Sequence, residues 1–430
     1  MKKIQLLIVA MCYLVCACTS QDEPIMAKQQ VTEGLISEIY DIEEAITFAN
    51  DIAEQLDLST SRATPRTASK NNVVEYKTTK SRTENSQFYV VNYEENQGYA
   101  IIAKKRIANP VVAVINEGNY SEGEIIDNPG FNMFMDVTSS IIERDTTIKP
   151  IDWEWKPGDG PIPAIQFKTE RDTLEHLLIS PKTINFFWGQ ERPEGLLCPN
   201  GLSGCANTAL FMVMAYFHTP SAIAYTYEGA TMTRETLNWT NIAQHIYRYD
   251  NCTQSVHNTI SRVCRQLGQL TNSTYYPQTS NQKRSTSTAR KKMATVAKNI
   301  LSGKTVSELK SYTDFYDFYD ILPDLETGLV IMAGEVYNKE SGKNVDMKKG
   351  HAWVVDGCKY YYVRVKTYKK EYNDLSWVLQ STKLETTPFL SINWGWEGSQ
   401  NGYFYWNNFN PKVEDVENPI FLDIQYIVIK

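Results

Sequence analysis

Leu202-Ser203-Gly204-Cys205-Ala206-Asn207-Thr208-Ala209-Leu210 opens an apolar run that continues through Phe217. Ala209, Met212, Val213 and Tyr216 share one face of a helix started there, so the spacing predicts a helix with a thiol in its first turn. Gly204 permits the tight turn and close backbone approach that such a start needs. A helix N-terminus offers unpaired N–H groups and the positive end of the helix dipole, both of which favour thiolate over thiol. An isolated cysteine in an apolar helix is more often a small buried hydrophobe, so a catalytic reading of Cys205 needs partners elsewhere in the chain.

Two later segments supply them. Gly350-His351-Ala352-Trp353-Val354-Val355-Asp356-Gly357 reads as a strand with an imidazole at its entry. As general base, His351 would take the thiol proton, pair with the thiolate and later protonate a leaving amine. The other histidines, His176, His218, His245 and His257, lack such a setting and read as surface or structural residues. In Asn393-Trp394-Gly395-Trp396, Asn393 and Trp394 would orient the imidazole and shield it from water, as a third group does in a triad. Core packing is the plainer reading of the tryptophans, and both roles are compatible. Upstream, Gln190 in Asn185-Phe186-Phe187-Trp188-Gly189-Gln190 offers an amide donor. With the Cys205 N–H it would form an oxyanion hole, although a loop glutamine is usually just solvated.

The N-terminus begins with Lys2 and Lys3 and an apolar core from Ile4 to Val15, the pattern of a secretory signal over residues 1–17. Leu14-Val15-Cys16-Ala17-Cys18 resembles a bacterial lipobox with Cys18 as the lipidated residue; ordinary cleavage to a released protein is the alternative. Thr19 to Glu23 resembles an acidic tag that directs some lipoproteins to the cell surface. The expectation is therefore an outer-membrane or cell-surface lipoprotein, with a periplasmic or released form as alternatives, and a membrane contact made through lipid. With 43 basic and 50 acidic residues, nothing in the charge argues for nucleic acid. No CxxC…CxxC or HExxH spacing is present, so neither a metal nor a cofactor is expected. Beyond the leader, Cys198, Cys205, Cys252, Cys264 and Cys358 form an odd set, leaving at least one thiol unpaired by any internal scheme. Cys205 is the candidate for it; pairing among the rest stays open.

Along the chain, a helix is expected over Ile39 to Leu56, then an exposed polar stretch from Ser59 to Asn85. Phe88–Tyr93, Tyr99–Ala103 and Pro110–Ile115 read as strands, the first two as a hairpin, with a helix after Asn128-Pro129-Gly130-Phe131. Residues 148 to 165 are rich in proline and glycine and read as a linker, giving a boundary near residue 170. Helices are expected at Ser261–Leu270 and Thr288–Leu301, and strands from Gly328 onward. Helices first and strands later indicate an α+β fold of two lobes, preceded by a small α+β unit.

Taken together, these segments resemble the streptopain family of bacterial cysteine peptidases, within the papain-like group. The resemblance runs through Trp188-Gly-Gln190, Cys198-Pro199, Gly204-Cys205-Ala-Asn-Thr-Ala, Asn238-Trp239-Thr-Asn241, Gly350 to Gly357, Asn393-Trp-Gly-Trp396, Asn401-Gly-Tyr-Phe404 and Asn410-Pro411. Phe88-Tyr-Val-Val-Asn, Gly98 to Ala103, Lys105-Arg106, Pro110 onward and Asn128-Pro-Gly-Phe resemble that family's propeptide. The resemblance implies residues 18–170 as an inhibitory prodomain and 171–430 as a peptidase acting on protein or peptide substrates. Cys205 would be nucleophile, His351 general base and acid, and Gln190 oxyanion donor. The prodomain would be removed at the Pro/Gly-rich stretch or at Lys168-Thr-Glu-Arg171. Gly350, Ser285 and Ser287 are candidate substrate-binding residues. Two departures stand out: an insertion from Lys359 to Thr387, readable as an extended hairpin, and Glu397, where the family has glycine. A surface lipoprotein that binds proteins without cutting them, and an acyl transferase using the same dyad, are the competing readings.

Overall fold

Strands that are apolar on both faces must be covered on both sides, and the central strands of this chain are. The computed structural model describes residues 39–57, 65–77, 86–106, 109–144, 165–183, 186–225, 233–244, 252–313, 315–340, 343–371, 376–409 and 420–430. The leader with Cys18, parts of the polar 59–85 stretch, most of the Pro/Gly-rich segment and Asn410-Pro411 lie outside these residues.

The strands are β1 Val73–Tyr76, β2 Phe88–Asn92, β3 Tyr99–Ala103, β4 Val111–Ile115, β5 Ile165–Ile179, β6 Ala222–Tyr225, β7 Thr233–Thr236 and β8 Thr274–Tyr276. They continue as β9 Ser285–Ser287, β10 Lys310–Tyr312, β11 Leu329–Glu340, β12 Lys343–Glu371, β13 Val378–Asn393, β14 Gly402–Tyr405 and β15 Ile420–Ile429. The helices are α1 Ile42–Asp57, α2 Pro129–Arg144, α3 Cys205–Phe217, α4 Trp239–Ala243, α5 Gln254–Leu270, α6 Arg290–Ile300 and α7 Phe315–Thr327.

One antiparallel sheet runs through most of the molecule in the order β1-β2-β3-β4-β14-β13-β12-β11-β15-β10, with β5 on β12. The N-terminal unit and the segment that follows residue 170 are therefore not separate sheets. They join where β4 pairs with β14, placing Ile115 opposite Gly402 and Ala113 opposite Phe404. Three cores follow. Helices α2 and α7 cover one face of the central strands through Phe131, Phe134, Phe318 and Ile321. Helices α3 to α6 cover the other face of β11, β12 and β15, forming the helical lobe. Helix α1 packs on β1–β4 through Ala45, Ala49, Ile52 and Leu56. Phe131 and Phe134 are fully buried, and burying each stabilises by about 1.5–3 kcal/mol.

The mixed helix-and-sheet class and the strand-rich C-terminal part match the sequence reading, and several local expectations shift. Helix α5 begins at Gln254 because the Thr253 side chain caps it, accepting from Val256 N at 3.4 Å. Helix α7 was not anticipated and carries Pro323 inside it. The boundary drawn near residue 170 falls inside β5, which pairs with β12 without interruption there: Lys168 lies opposite Tyr368 and Arg171 opposite Val365. The Lys168–Arg171 segment is thus paired strand, and a protease could cut it only after it left β12. The insertion is the far end of the β12–β13 hairpin, with Lys359 opposite Phe389 and Lys369 opposite Val378.

Candidate active site

Helix α3 starts where the sequence places it. Gly204 has φ +90°, a conformation that L side chains rarely adopt, and a Cβ there would come within 2.8 Å of Thr286 Cγ2. Cys205 is the first helical residue and is half-buried. Its sulfur is approached by the backbone N–H groups of Ala352, Ala206 and Cys205 itself. Those donors favour thiolate, but burial outweighs them, and the thiol is pushed above its ordinary range.

Gln190 is stitched beside this helix start. Its carbonyl accepts from Ser203 N at 2.8 Å and Ser203 Oγ at 3.3 Å, while Thr208 Oγ1 donates to Gly189 O at 3.1 Å. Trp188, stacked between Phe186 and Phe211 at 4.7 and 4.6 Å, fixes the segment from behind. Glu397 lies against Gly189, where a Cβ would meet Glu397 Cγ at 2.7 Å, so this departure from the family pattern borders Gln190. Ser285 and Ser287 are exposed on β9, and Thr286 between them turns onto Gly204. Exposed Gly350 lies opposite Glu335 in the β11–β12 register.

His351 takes a different position from the one a dyad requires. Successive residues of a strand face opposite sides, and β12 obeys this closely: Ala352 and Val354 belong to the helical-lobe core, Trp353 and Val355 to the core under α2. His351 shares the parity of Trp353 and Val355. It is 4% exposed, with rings of Trp353, Trp394 and Trp396 at 6.5, 6.1 and 6.3 Å. Its Nε2 pairs with Trp394 O at 2.8 Å; a carbonyl only accepts, so Nε2 carries the proton. Burial drives its pKa down to about 4, against the pull of the Trp394 carbonyl. Burial thus disfavours the charged form of both Cys205 and His351, and no hydrogen bond joins them among the described residues.

Helix α2 of the N-terminal unit holds this arrangement. Asn128 caps it, accepting from Gly130 N and Phe131 N at 3.1 Å, and Pro129 occupies the first turn, where its missing N–H costs nothing. Asn128 Nδ2 also donates to Ser399 O at 2.8 Å, tying the cap to the loop after Trp396. Gly130 lies directly on the site: a Cβ there would come within 2.5 Å of Trp394 Cε3 and 3.0 Å of His351 Nε2, and closer still to His351 Cδ2.

Asn393 does not reach the imidazole. Its Nδ2 donates to Thr183 O at 3.1 Å and Phe186 O at 3.0 Å, and its Oδ1 accepts from Gly395 N at 3.0 Å. It shapes the turn whose Trp394 carbonyl holds His351, so the orienting atom is a main-chain oxygen. Sequence reasoning passed over Asp356, whose buried carboxylate accepts from Thr183 N, Thr183 Oγ1 and Ser391 Oγ, each at 2.7 Å. A lone carboxylate directly after the apolar run Ala352 to Val355 was the available signal. Asn128 and Gly130 showed in sequence only as part of a helix start, because their contacts to Ser399, His351 and Trp394 are made across the fold. Cys198, Cys205, Cys264 and Cys358 are free thiols.

Known proteins bear on this geometry in two places. The Peptidase C10 family model matches residues 188–404, and the Spi protease inhibitor model matches residues 28–142. No curated protein matches the chain. A solved fragment of prointerpain A from Prevotella intermedia is similar at 19% identity, covering 83% of this chain and 97% of that one, with a TM-score of 0.49. The C10 match spans just over half of the 430 residues, from the tryptophan stacked behind Gln190 to the strand that meets the N-terminal unit, and the protein belongs to the peptidase C10, or streptopain, family.

Proposed function

We propose that this chain is the secreted zymogen of a cysteine endopeptidase in which Cys205 is the nucleophile and His351 the general base and acid, switched on by removal of the N-terminal unit. The observation that carries this is the seat of the Cys205 sulfur: at the start of α3, it faces the N–H of the residue that follows His351. Release of α2 uncovers His351 and Trp394. The entry of β12 then needs only a local twist at exposed Gly350 to turn the imidazole to the Cys205 face. There the two groups exchange a proton, because an exposed imidazole regains its affinity for it and an imidazolium lowers the thiol pKa. The thiolate attacks a peptide carbonyl, and the oxyanion is held by the Cys205 N–H and the Gln190 amide. The imidazolium protonates the departing amine, and water, activated by the same imidazole, releases the acyl group.

Two further parts complete the reading. Cutting falls in the Pro/Gly-rich segment after α2, because β5 is occupied by β12. The leader and Cys18 support a lipid-anchored position at a membrane surface outside the cytoplasm, with proteins or peptides as substrates. The test is casein and peptide hydrolysis by the processed protein in reductant, beside Cys205→Ala and beside iodoacetamide-treated enzyme. Turnover that survives either treatment removes Cys205 from the mechanism; binding without turnover turns the reading to a protein-capturing scaffold.

A further inference from the structure

The insertion between His351 and Asn393 is turned, at its base, toward the N-terminal unit. Lys359 begins it and is 2% exposed, and its Nζ donates to Gln55 O at 2.9 Å. Gln55 lies in the last turn of α1, and α1 has no basic residue of its own in that turn. The carbonyl end of a helix carries partial negative charge and favours a cation. Here the cation arrives from a strand 304 residues away in sequence.

Apolar contacts surround this bond. Val365 of the same strand, and Phe389 opposite Lys359 in register, are buried in one core with Ile52, Ala53 and Leu56 of α1. Tyr403 of β14 joins them. Lys359 and Val365 have the same parity. The bulge between Val355 and Gly357 sets it, since one extra residue turns every later side chain to the other face. Upstream of the bulge the odd positions face the core under α2; downstream they face α1.

From this juxtaposition the structure assigns the base of the insertion, Lys359 with Val365 and Phe389, as a docking surface for helix α1 that strengthens the prodomain's hold at a distance from Cys205. The assignment rests on the reading of the N-terminal unit as an inhibitory prodomain. A buried ammonium is costly unless it is paired. That makes the contact selective: Lys359 keeps its carbonyl partner only while α1 sits in this one position, and water replaces it once α1 departs.

The test is amide hydrogen exchange on the full chain carrying Cys205→Ala, with and without Lys359→Glu. A carboxylate placed against helix carbonyls should open α1, so its amides should exchange at least about tenfold faster, while those of α3 are unchanged. If Lys359→Glu loosens α3 as well, Lys359→Gln decides, with α1 loosened and α3 intact as the expected result. Unchanged α1 protection in Lys359→Glu, or α1 and α3 loosened together in Lys359→Gln, overturns the assignment. Both chains are inert, so the outcome does not depend on peptidase activity. An inactive processed wild type would defeat the enzyme reading and leave this result standing.

Discussion

Gly130→Ala isolates the clamp on the imidazole, because it adds one methyl group at the point where α2 meets the site. The new Cβ would meet Trp394 Cε3 at 2.5 Å and press into the His351 ring. Neither ring can yield easily: Trp394 is fully buried and His351 is 4% exposed. Overpacking of this kind costs about 1–3 kcal/mol. Alanine is also the better helix former by up to about 1 kcal/mol, which works in the opposite direction. The clash wins if it exceeds that gain, leaving a net loss of about 1–2 kcal/mol in α2 docking, or about 5- to 30-fold in the population with the site uncovered. The assay is the half-time of self-processing in reductant, followed by mass, with activity of the processed enzyme measured separately. Processing should quicken by that factor, while kcat/KM of the processed enzyme is unchanged, since the substituted residue leaves with the N-terminal unit. Processing at the wild-type rate, or slower, would refute the idea that this contact restrains the histidine.

Other outcomes follow from the same geometry. Cys205→Ala should lower kcat/KM by at least about 10³-fold and leave the zymogen's melting temperature nearly unchanged, checked by peptide assay and calorimetry. His351 is held near pKa 4, below the ordinary 6.5; a depressed folded pKa gives stability that is present above pH 6.5 and lost as pH falls toward 4. The loss is at most about 3 kcal/mol, and urea midpoints of Cys205→Ala measured between pH 7.5 and 4.5 should fall more steeply than those of Cys205→Ala with His351→Asn. Asn393→Ala strands buried partners at Thr183, Phe186 and Gly395, and should cost about 2–4 kcal/mol by denaturant titration. Cys18→Ser should abolish incorporation of labelled palmitate and release the protein from the membrane fraction, read by autoradiography after fractionation.

The helix at Cys205 was legible because its glycine-led start and apolar run are local signals, and the Phe88–Ala103 hairpin for the same reason. The position of His351 was not. Both faces of β12 are buried, so Trp353 and Val355 on one side and Ala352 and Val354 on the other look alike in sequence. Alternation could not say which face held the imidazole. The joining of the two units through β4 and β14 was equally hidden, since strand pairing between residues 113 and 404 leaves no local trace. Asn393 was read by analogy with a triad, and its amide is spent on the turn instead. Proline and glycine marked the stretch before Ile165 but gave no sign that the following residues form β5, because that strand depends on the insertion for its partner. Pro323 pointed away from the helix it occupies, where tertiary packing of Phe318, Ile321 and Leu325 outweighs the breaker.

If the N-terminal unit keeps the Cys205 thiol and the His351 imidazole neutral on opposite sides of β12, its removal should let them form an ion pair. The most direct measurement is the pH dependence of Cys205 alkylation by iodoacetamide, located by peptide mapping, before and after processing. In the zymogen the rate should rise only in the alkaline range, because burial lifts the thiol. In the processed enzyme it should already reach a plateau near pH 6. Identical profiles in the two forms would contradict the account.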